Sequence, residues 1–251
     1  MKLITLIENT TCANNLACEH GLSLYLETGD HKILFDMGQS GAFADNAEKL
    51  GVDLSRVDFA LLSHGHYDHG GGISRFLEIN SSAPIYVNQY AFQPHFNATG
   101  KDIGLDPGLP KDRIRFVEES LSLSPGITLQ TVPFPPTDTA GMTVCNGQPE
   151  DFRHEQYLLL EEAGKRILIS GCSHKGIVAI AEHFRPDILV GGFHFMKTTD
   201  EDILHNAAQR LLALDCTYYT GHCTGETQFD FLKTILGDRL HAISTGSHPE
   251  L

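Results

Sequence analysis

The chain has 251 residues, 41% hydrophobic and 20% charged, with a formal net charge of −14. That length supports one large domain with a sizeable core, while the acidity makes a bare phosphate backbone a poor partner and sets nucleic-acid binding aside. No segment approaches the roughly 18 apolar residues of a membrane span, and the opening MKLITLIENTT is too brief an apolar run for a signal-peptide core, so a soluble cytoplasmic chain without a membrane partner is expected.

Alternating Leu22, Leu24 and Leu26 predict a strand, and HKILFDMG returns as its partner across the Gly29-Asp30 turn. A helix follows, with Ser40 as its expected N-cap, Phe43, Ala47 and Leu50 on one face and Gly51 closing it. VDFALLS (57–63) is a buried strand that runs straight into the sequence SHGHYDHGGG. The stretch from about 93 to 153 is rich in Pro, Gly and Asp, with short strand candidates at Ile114–Val117 and Ile127–Val132. It reads as a loop-rich insertion in a single domain spanning 1–251, a candidate lid or binding loop over the site, the plainer reading being a surface excursion.

Three further apolar strands follow. RILIS (166–170) leads to Gly171-Cys172-Ser173-His174 and then to a helix with Ile177, Ile180, Ala181 and Phe184 on one face. DILVGG (187–192) leads to Phe193-His194, and a helix from Thr199 to Leu214 carries a capping box at Thr199 and Asp202. CTYYTG (216–221) leads to His222, with Thr224 expected to begin the last helix, which carries Phe229, Leu232 and Ile235. Four strands therefore each end in a loop bearing a histidine: His64, His174, His194 and His222. Strand ends on one sheet edge open onto a common crevice, the usual ligand position in α/β folds.

Six cysteines contain no CxxC pair and read as reduced, mostly buried side chains; Cys172 is either a soft ligand or buried, and burial is preferred. His31, His95, His183, His205, His241 and His248 read as surface or helix-face residues without a role.

His64, His66, Asp68 and His69 supply three imidazoles and a carboxylate within six residues, the donor types that zinc takes. Two residues apart on an extended loop, His64 and His66 point the same way, and Gly70, Gly71 and Gly72 let backbone pass close beneath the cluster. A capping or solvated cluster is the bland alternative, and it accounts poorly for so many donors after a buried strand.

HGHYDH resembles the HxHxDH signature of the metallo-β-lactamase superfamily, and FDMG resembles that family's turn after the preceding strand. The resemblance implies an αββα sandwich with two divalent metal ions, zinc first, with manganese or iron as alternatives. It places His64 and His66 on the first metal and Asp68, His69 and His222 on the second, with Asp36 orienting ligands. His174 matches the first metal's third ligand in a subgroup related to dihydropterin–ribofuranosylaminobenzene 5′-phosphate synthase, which GCSHKG and GHCTGE resemble. His154 lies where the wider superfamily places that ligand, and it stays open as an alternate ligand or substrate contact. The bridging aspartate usual in the superfamily is replaced here by the Gly171–His174 stretch. His194 is a candidate proton donor or phosphate contact, a core histidine being the competing reading, and Glu19-His20 could reach the crevice.

The expected activity is that of a metal-dependent hydrolase using a metal-activated hydroxide on a small, anionic or phosphorylated metabolite, with Asp68, His194 and His154 as catalytic candidates. A pterin-condensing transferase is the alternative, and an inactive metal-binding or ligand-sensing module is a third reading.

Overall fold

The computed structural model describes residues 1–137, 143–249 and 251. In chain order its strands are β1 (Lys2–Ile7), β2 (Ser23–Glu27), β3 (Lys32–Phe35), β4 (Phe59–Leu61), β5 (Ile85–Asn88), β6 (His95–Asn97), β7 (Ile114–Val117), β8 (Leu121–Ser124), β9 (Ile127–Gln130), β10 (Thr143–Cys145), β11 (Gln148–Pro149), β12 (Tyr157–Glu162), β13 (Lys165–Ile169), β14 (Ile188–Val190), β15 (Thr217–Thr220) and β16 (Leu240–Ala242). The α-helices are α1 (Ala42–Lys49), α2 (Tyr67–Gly70), α3 (Ile73–Ile79), α4 (Ile177–Phe184), α5 (Glu201–Leu212) and α6 (Glu226–Leu236).

Two sheets carry the architecture. The first runs β1-β2-β3-β4-β5-β7 and the second β16-β15-β14-β13-β12-β9-β8. Their inner faces meet in one core containing Leu24, Phe35, Leu61, Leu158, Ile169 and Val190. The outer face of the first sheet packs on α1 and α3 through Leu34, Phe43, Ala47 and Phe76. That of the second packs on α4, α5 and α6 through Leu168, Ile180, Leu204 and Leu232. The result is a four-layer αββα sandwich. Strands covered on both faces need unbroken apolar runs, which is why FAL, ILV and the buried end of KRILI lack a polar alternation.

Parallel pairing sets the position of the site. Phe35 registers with Leu61 between β3 and β4, and β13, β14 and β15 run parallel with Ile169, Val190 and Tyr219 in step. Their C-terminal ends therefore lie along one rim, where β3 delivers Asp36 and β4, β13, β14 and β15 each feed a histidine-bearing loop.

Several local expectations shift. The N-cap of α1 is Gly41, without a side-chain cap; the Ser40 hydroxyl accepts from Ala42 N and donates to Glu19. At α5 the cap is Asp200, whose carboxylate accepts from Asp202 N, because Asp outcompetes a Thr one position earlier. Thr224 sits in a 3₁₀ turn, His222–Thr224, and α6 starts at Glu226. The strand expected at Ile127–Val132 ends at Gln130. Of the six cysteines only Cys172, Cys216 and Cys223 are buried; Cys12 and Cys18 are exposed and Cys145 is intermediate. From the loop-rich segment, β6, β10 and β11 form a small three-stranded sheet, while its 138–142 stretch lies outside the described residues. No helix among the described residues is long and apolar enough to cross a membrane.

Candidate metal centre

Asp36 follows β3 and Ser63 follows β4, so the parallel register brings them side by side. Ser63 N donates to Asp36 Oδ1 at 2.7 Å, and the Ser63 hydroxyl donates to Oδ2 at 2.7 Å. The single hydroxyl proton is thereby used. His64 Nδ1, 2.8 Å from Ser63 Oγ, must then be the N–H donor, which leaves His64 Nε2 as a lone pair.

The same tautomer logic fixes two more rings. His69 Nδ1 donates to Asp36 Oδ2 at 2.7 Å. His222 Nδ1 donates to Asn9 Oδ1 at 2.9 Å, and the orientation of that amide is set by Gly21 N donating to Oδ1 and Asn9 Nδ2 donating to His222 O. His64, His69 and His222 each hold Nδ1–H outward and turn Nε2 inward.

The inward atoms converge. His64 Nε2 lies 3.2 Å from His174 Nε2, and His69 Nε2 lies 3.2 Å from His222 Nε2 and 3.1 Å from Cys172 Sγ. Asp68 Oδ2 faces His20 Nε2 at 3.3 Å, His222 Nε2 at 3.4 Å and His69 Nε2 at 3.7 Å. Ligands about 2.0–2.1 Å from a tetrahedral cation are separated from one another by about 3.3 Å, the spacing found here. Facing lone pairs repel unless positive charge stands between them. The donor set therefore fits a divalent cation, and His64 with Cys172 and His174, and His69 with Cys172 and His222, are two groups able to hold one.

Electrostatics agree. Burial and neighbouring imidazoles hold His64 and His174 well below the ordinary histidine range, so both are neutral, ligand-ready bases. Burial works against charge on His69 too, but the Asp36 and Asp68 carboxylates outweigh it and push the ring up to about 9. Burial opposes ionisation of Asp68, yet His69, His20 and His222 keep its carboxyl well below the usual range. The pocket thus favours a positive charge at its centre, supplied by a proton or by a metal.

The backbone around these groups is strained. Asp36, Ser173, His194 and His222 all have positive φ, at 59°, 58°, 58° and 50°, a region unfavourable for side chains with a Cβ and concentrated at functional sites. Glu155 braces one of these loops: its carboxylate accepts from His174 N at 2.7 Å, Lys175 N at 3.0 Å and the Tyr157 hydroxyl at 2.6 Å. Glu8 braces another by accepting from His222 N. At Gly71 and Gly72 a Cβ would collide with the carbonyl oxygens of Gln39 and Met37, so these glycines serve close approach, their own φ being helical.

The structure brings His64, His66, Asp68, His69, His174 and His222 together, all buried. His194 stands beside them, its ring 4.2 Å from His174, and burial lowers it to about 3. His20 reaches Asp68 from the N-terminal loop. His154 packs behind the cluster, its ring 5.6 Å from that of His66 and 6.0 Å from that of His64, but both nitrogens are engaged: Nδ1 accepts from Gly65 N at 2.8 Å and Nε2 lies 2.7 Å from Glu150 Oε1. His95, expected at the surface, is fully buried beside Glu150 because β6 folds its segment inward. Glu150 was not singled out in the sequence. Its only local signal is the four-residue spacing to His154.

A cavity of about 210 Å³ opens onto the donors, lined by His20, Asp68, His174, His194, Lys101 and Lys197 among others. A larger groove of about 550 Å³ beside the Gly29-Asp30 turn collects no comparable donor cluster.

Residues 17–152 match the family model of the metallo-β-lactamase superfamily. The chain is 28% identical to a 7,8-dihydropterin-6-methyl-4-(β-D-ribofuranosyl)-aminobenzene-5′-phosphate synthase of Methanocaldococcus jannaschii, over 96% of this chain and 95% of that protein. It superposes on a solved structure described as a metal-dependent hydrolase of the β-lactamase superfamily with a TM-score of 0.84 at 28% identity, covering 100% of this chain and 99% of the other. Zn²⁺-bound PqqB from Methylobacterium extorquens shares the fold at a TM-score of 0.60 and 12% identity, each chain covered in full. With the family model spanning more than half of its length, this chain belongs to the metallo-β-lactamase superfamily.

Proposed function

We propose that the chain is a metal-dependent hydrolase of a small anionic substrate, a phosphoester, diphosphate or lactone. The observation that carries this reading is the convergence of the His64, His69 and His222 Nε2 lone pairs with Cys172 and Asp68, of which His222, Cys172 and Asp68 line the cavity. In it His64, His66 and His174 hold one cation and Asp68, His69 and His222 the other, zinc being the metal that imidazole donors at this spacing favour. Bound there, divalent metal supplies Lewis acidity that lowers the pKa of water and polarises the bond under attack.

The chain's own residues do the rest. Asp36 and Ser63 keep two rings in the required tautomer. His194 Nδ1 is buried without a hydrogen-bond partner among the described residues, and as a neutral imidazole at the cavity wall it can hydrogen-bond to an oxygen of an anionic substrate. Exposed Lys101 and Lys197 place positive charge at the rim of an otherwise acidic protein, which suits an anionic substrate. His174 serves as ligand in preference to His154, both of whose nitrogens are engaged elsewhere.

A condensing transferase is the second reading, favoured by the name of the Methanocaldococcus relative. The cavity of about 210 Å³ lies below the usual range of about 300–1,000 Å³ for ligand pockets, which favours one small substrate over two joined ones. Incubating metal-loaded protein in ¹⁸O-water with single phosphoesters, diphosphates and lactones tests the choice. Hydrolysis places ¹⁸O in the product with no second substrate; turnover only with an organic acceptor, without ¹⁸O, overturns it.

A further inference from the structure

Glu150, from the loop-rich segment, is buried among three imidazoles. Its Oε1 accepts from His154 Nε2 at 2.7 Å and lies 2.6 Å from His95 Nδ1, an ion-pair approach without hydrogen-bond alignment. Its Oε2 faces His66 Nε2 at 3.8 Å, and neither of these two buried atoms has a hydrogen-bond partner among the described residues.

The group is unlike the metal cluster in two respects. His154 Nδ1 accepts from Gly65 N–H, so its proton sits on Nε2, pointing at Glu150, and that nitrogen has no lone pair to offer a cation. The 2.6 and 2.7 Å contacts are also shorter than the roughly 3.3 Å separation of ligands sharing a metal. It is a carboxylate that accepts a hydrogen bond from His154 and lies against His95, with one oxygen left for His66.

We propose that Glu150, fixed by His154 and His95, is a positioning residue for His66: Oε2 takes the His66 Nε2–H and thereby keeps Nδ1 as the ring's lone-pair nitrogen. An inward shift of about 1 Å turns the 3.8 Å approach into a hydrogen bond. Burial opposes ionisation of Glu150, while the His154, His66 and His95 rings around it draw its carboxyl below the usual carboxylate range. One backbone contact ties the same segment to the ligand loop: an antiparallel bridge of His66 with Gly104, in which Tyr67 N donates to Ile103 O at 2.9 Å. The small sheet of β6, β10 and β11 is thus wired to the first histidine pair.

This inference rests on the metal reading of the site. The test compares wild type, Glu150→Gln, Glu150→Ala and His66→Ala, full length, by zinc affinity in chelator competition and by the visible spectrum of the cobalt-loaded proteins. Glu150→Ala is expected to weaken one of the two zinc equivalents about 10–100-fold and to shift the cobalt ligand-field bands, leaving the other equivalent unchanged. The isosteric Glu150→Gln, which preserves packing, is expected to lie between it and wild type. Unchanged affinity and bands in both Glu150 variants, with His66→Ala losing an equivalent, overturn the positioning role alone. Absence of zinc uptake by wild type overturns the metal reading and this inference with it.

Discussion

Asp36 and His69 are joined by a 2.7 Å hydrogen bond between Oδ2 and Nδ1, and both side chains are fully buried. The same Asp36 oxygen receives the Ser63 hydroxyl, which in turn receives His64 Nδ1–H. One carboxylate thus sets the tautomer of two rings. Asp36→Asn is expected to cost about 10–100-fold in metal affinity, because an amide can present a donor where the acceptor is needed. Chelator competition measures it, and an unchanged dissociation constant refutes the arrangement.

Ligand assignment is read by metal content. His64→Ala and His174→Ala are each expected to drop one equivalent by mass spectrometry, and Asp68→Ala to drop the other. His154→Ala is expected to retain both at saturating metal, with lowered affinity through Glu150. Full retention by His174→Ala with loss in His154→Ala reverses the assignment.

Substrate charge is read at the rim. Lys101→Ala and Lys197→Ala remove exposed side chains and leave the core intact. Each is expected to raise KM for an anionic substrate a few-fold with kcat nearly unchanged, and added salt to erase most of the difference. Equal effects on a neutral substrate would count against electrostatic attraction.

Alkaline stability follows from groups away from the site. Burial pushes Cys216 up from its ordinary 9.0 to about 12 and raises Tyr218 likewise. Both are acids whose neutral form is kept by folding, so the unfolded chain loses protons first as pH rises. Their contribution is fully present below about pH 9 and is lost toward pH 12. Melting temperature is expected to fall across that window, with a shallower slope in Cys216→Ser, whose hydroxyl does not titrate there. An identical slope would place the alkaline loss elsewhere.

What the sequence disclosed follows from how local each feature is. SHGHYDHGGG is contiguous, and the loops bearing His174, His194 and His222 follow short, β-branched or aromatic runs that read as strands and that form β13, β14 and β15. Lys2–Ile7, Ile85–Asn88 and Tyr157–Glu162 were not anticipated, although each is a strand of the main sheets. Short runs such as IYVN and YLLLEE carry no period that separates strand from buried helix. Glu150 and His95 were illegible for a different reason. They meet because β6 pairs with β10, Val144 opposite Phe96, and no spacing in the chain announces that pairing.

The strand ends that form the site come from both layers: Ser63 through His69 from the first sheet, and His174, His194 and His222 from the second. A cation gripped by both sets acts as a rivet through the sandwich, opposing separation of its halves. Loading then shows itself as heat resistance before any substrate is known, rising with the logarithm of free metal above the dissociation constant.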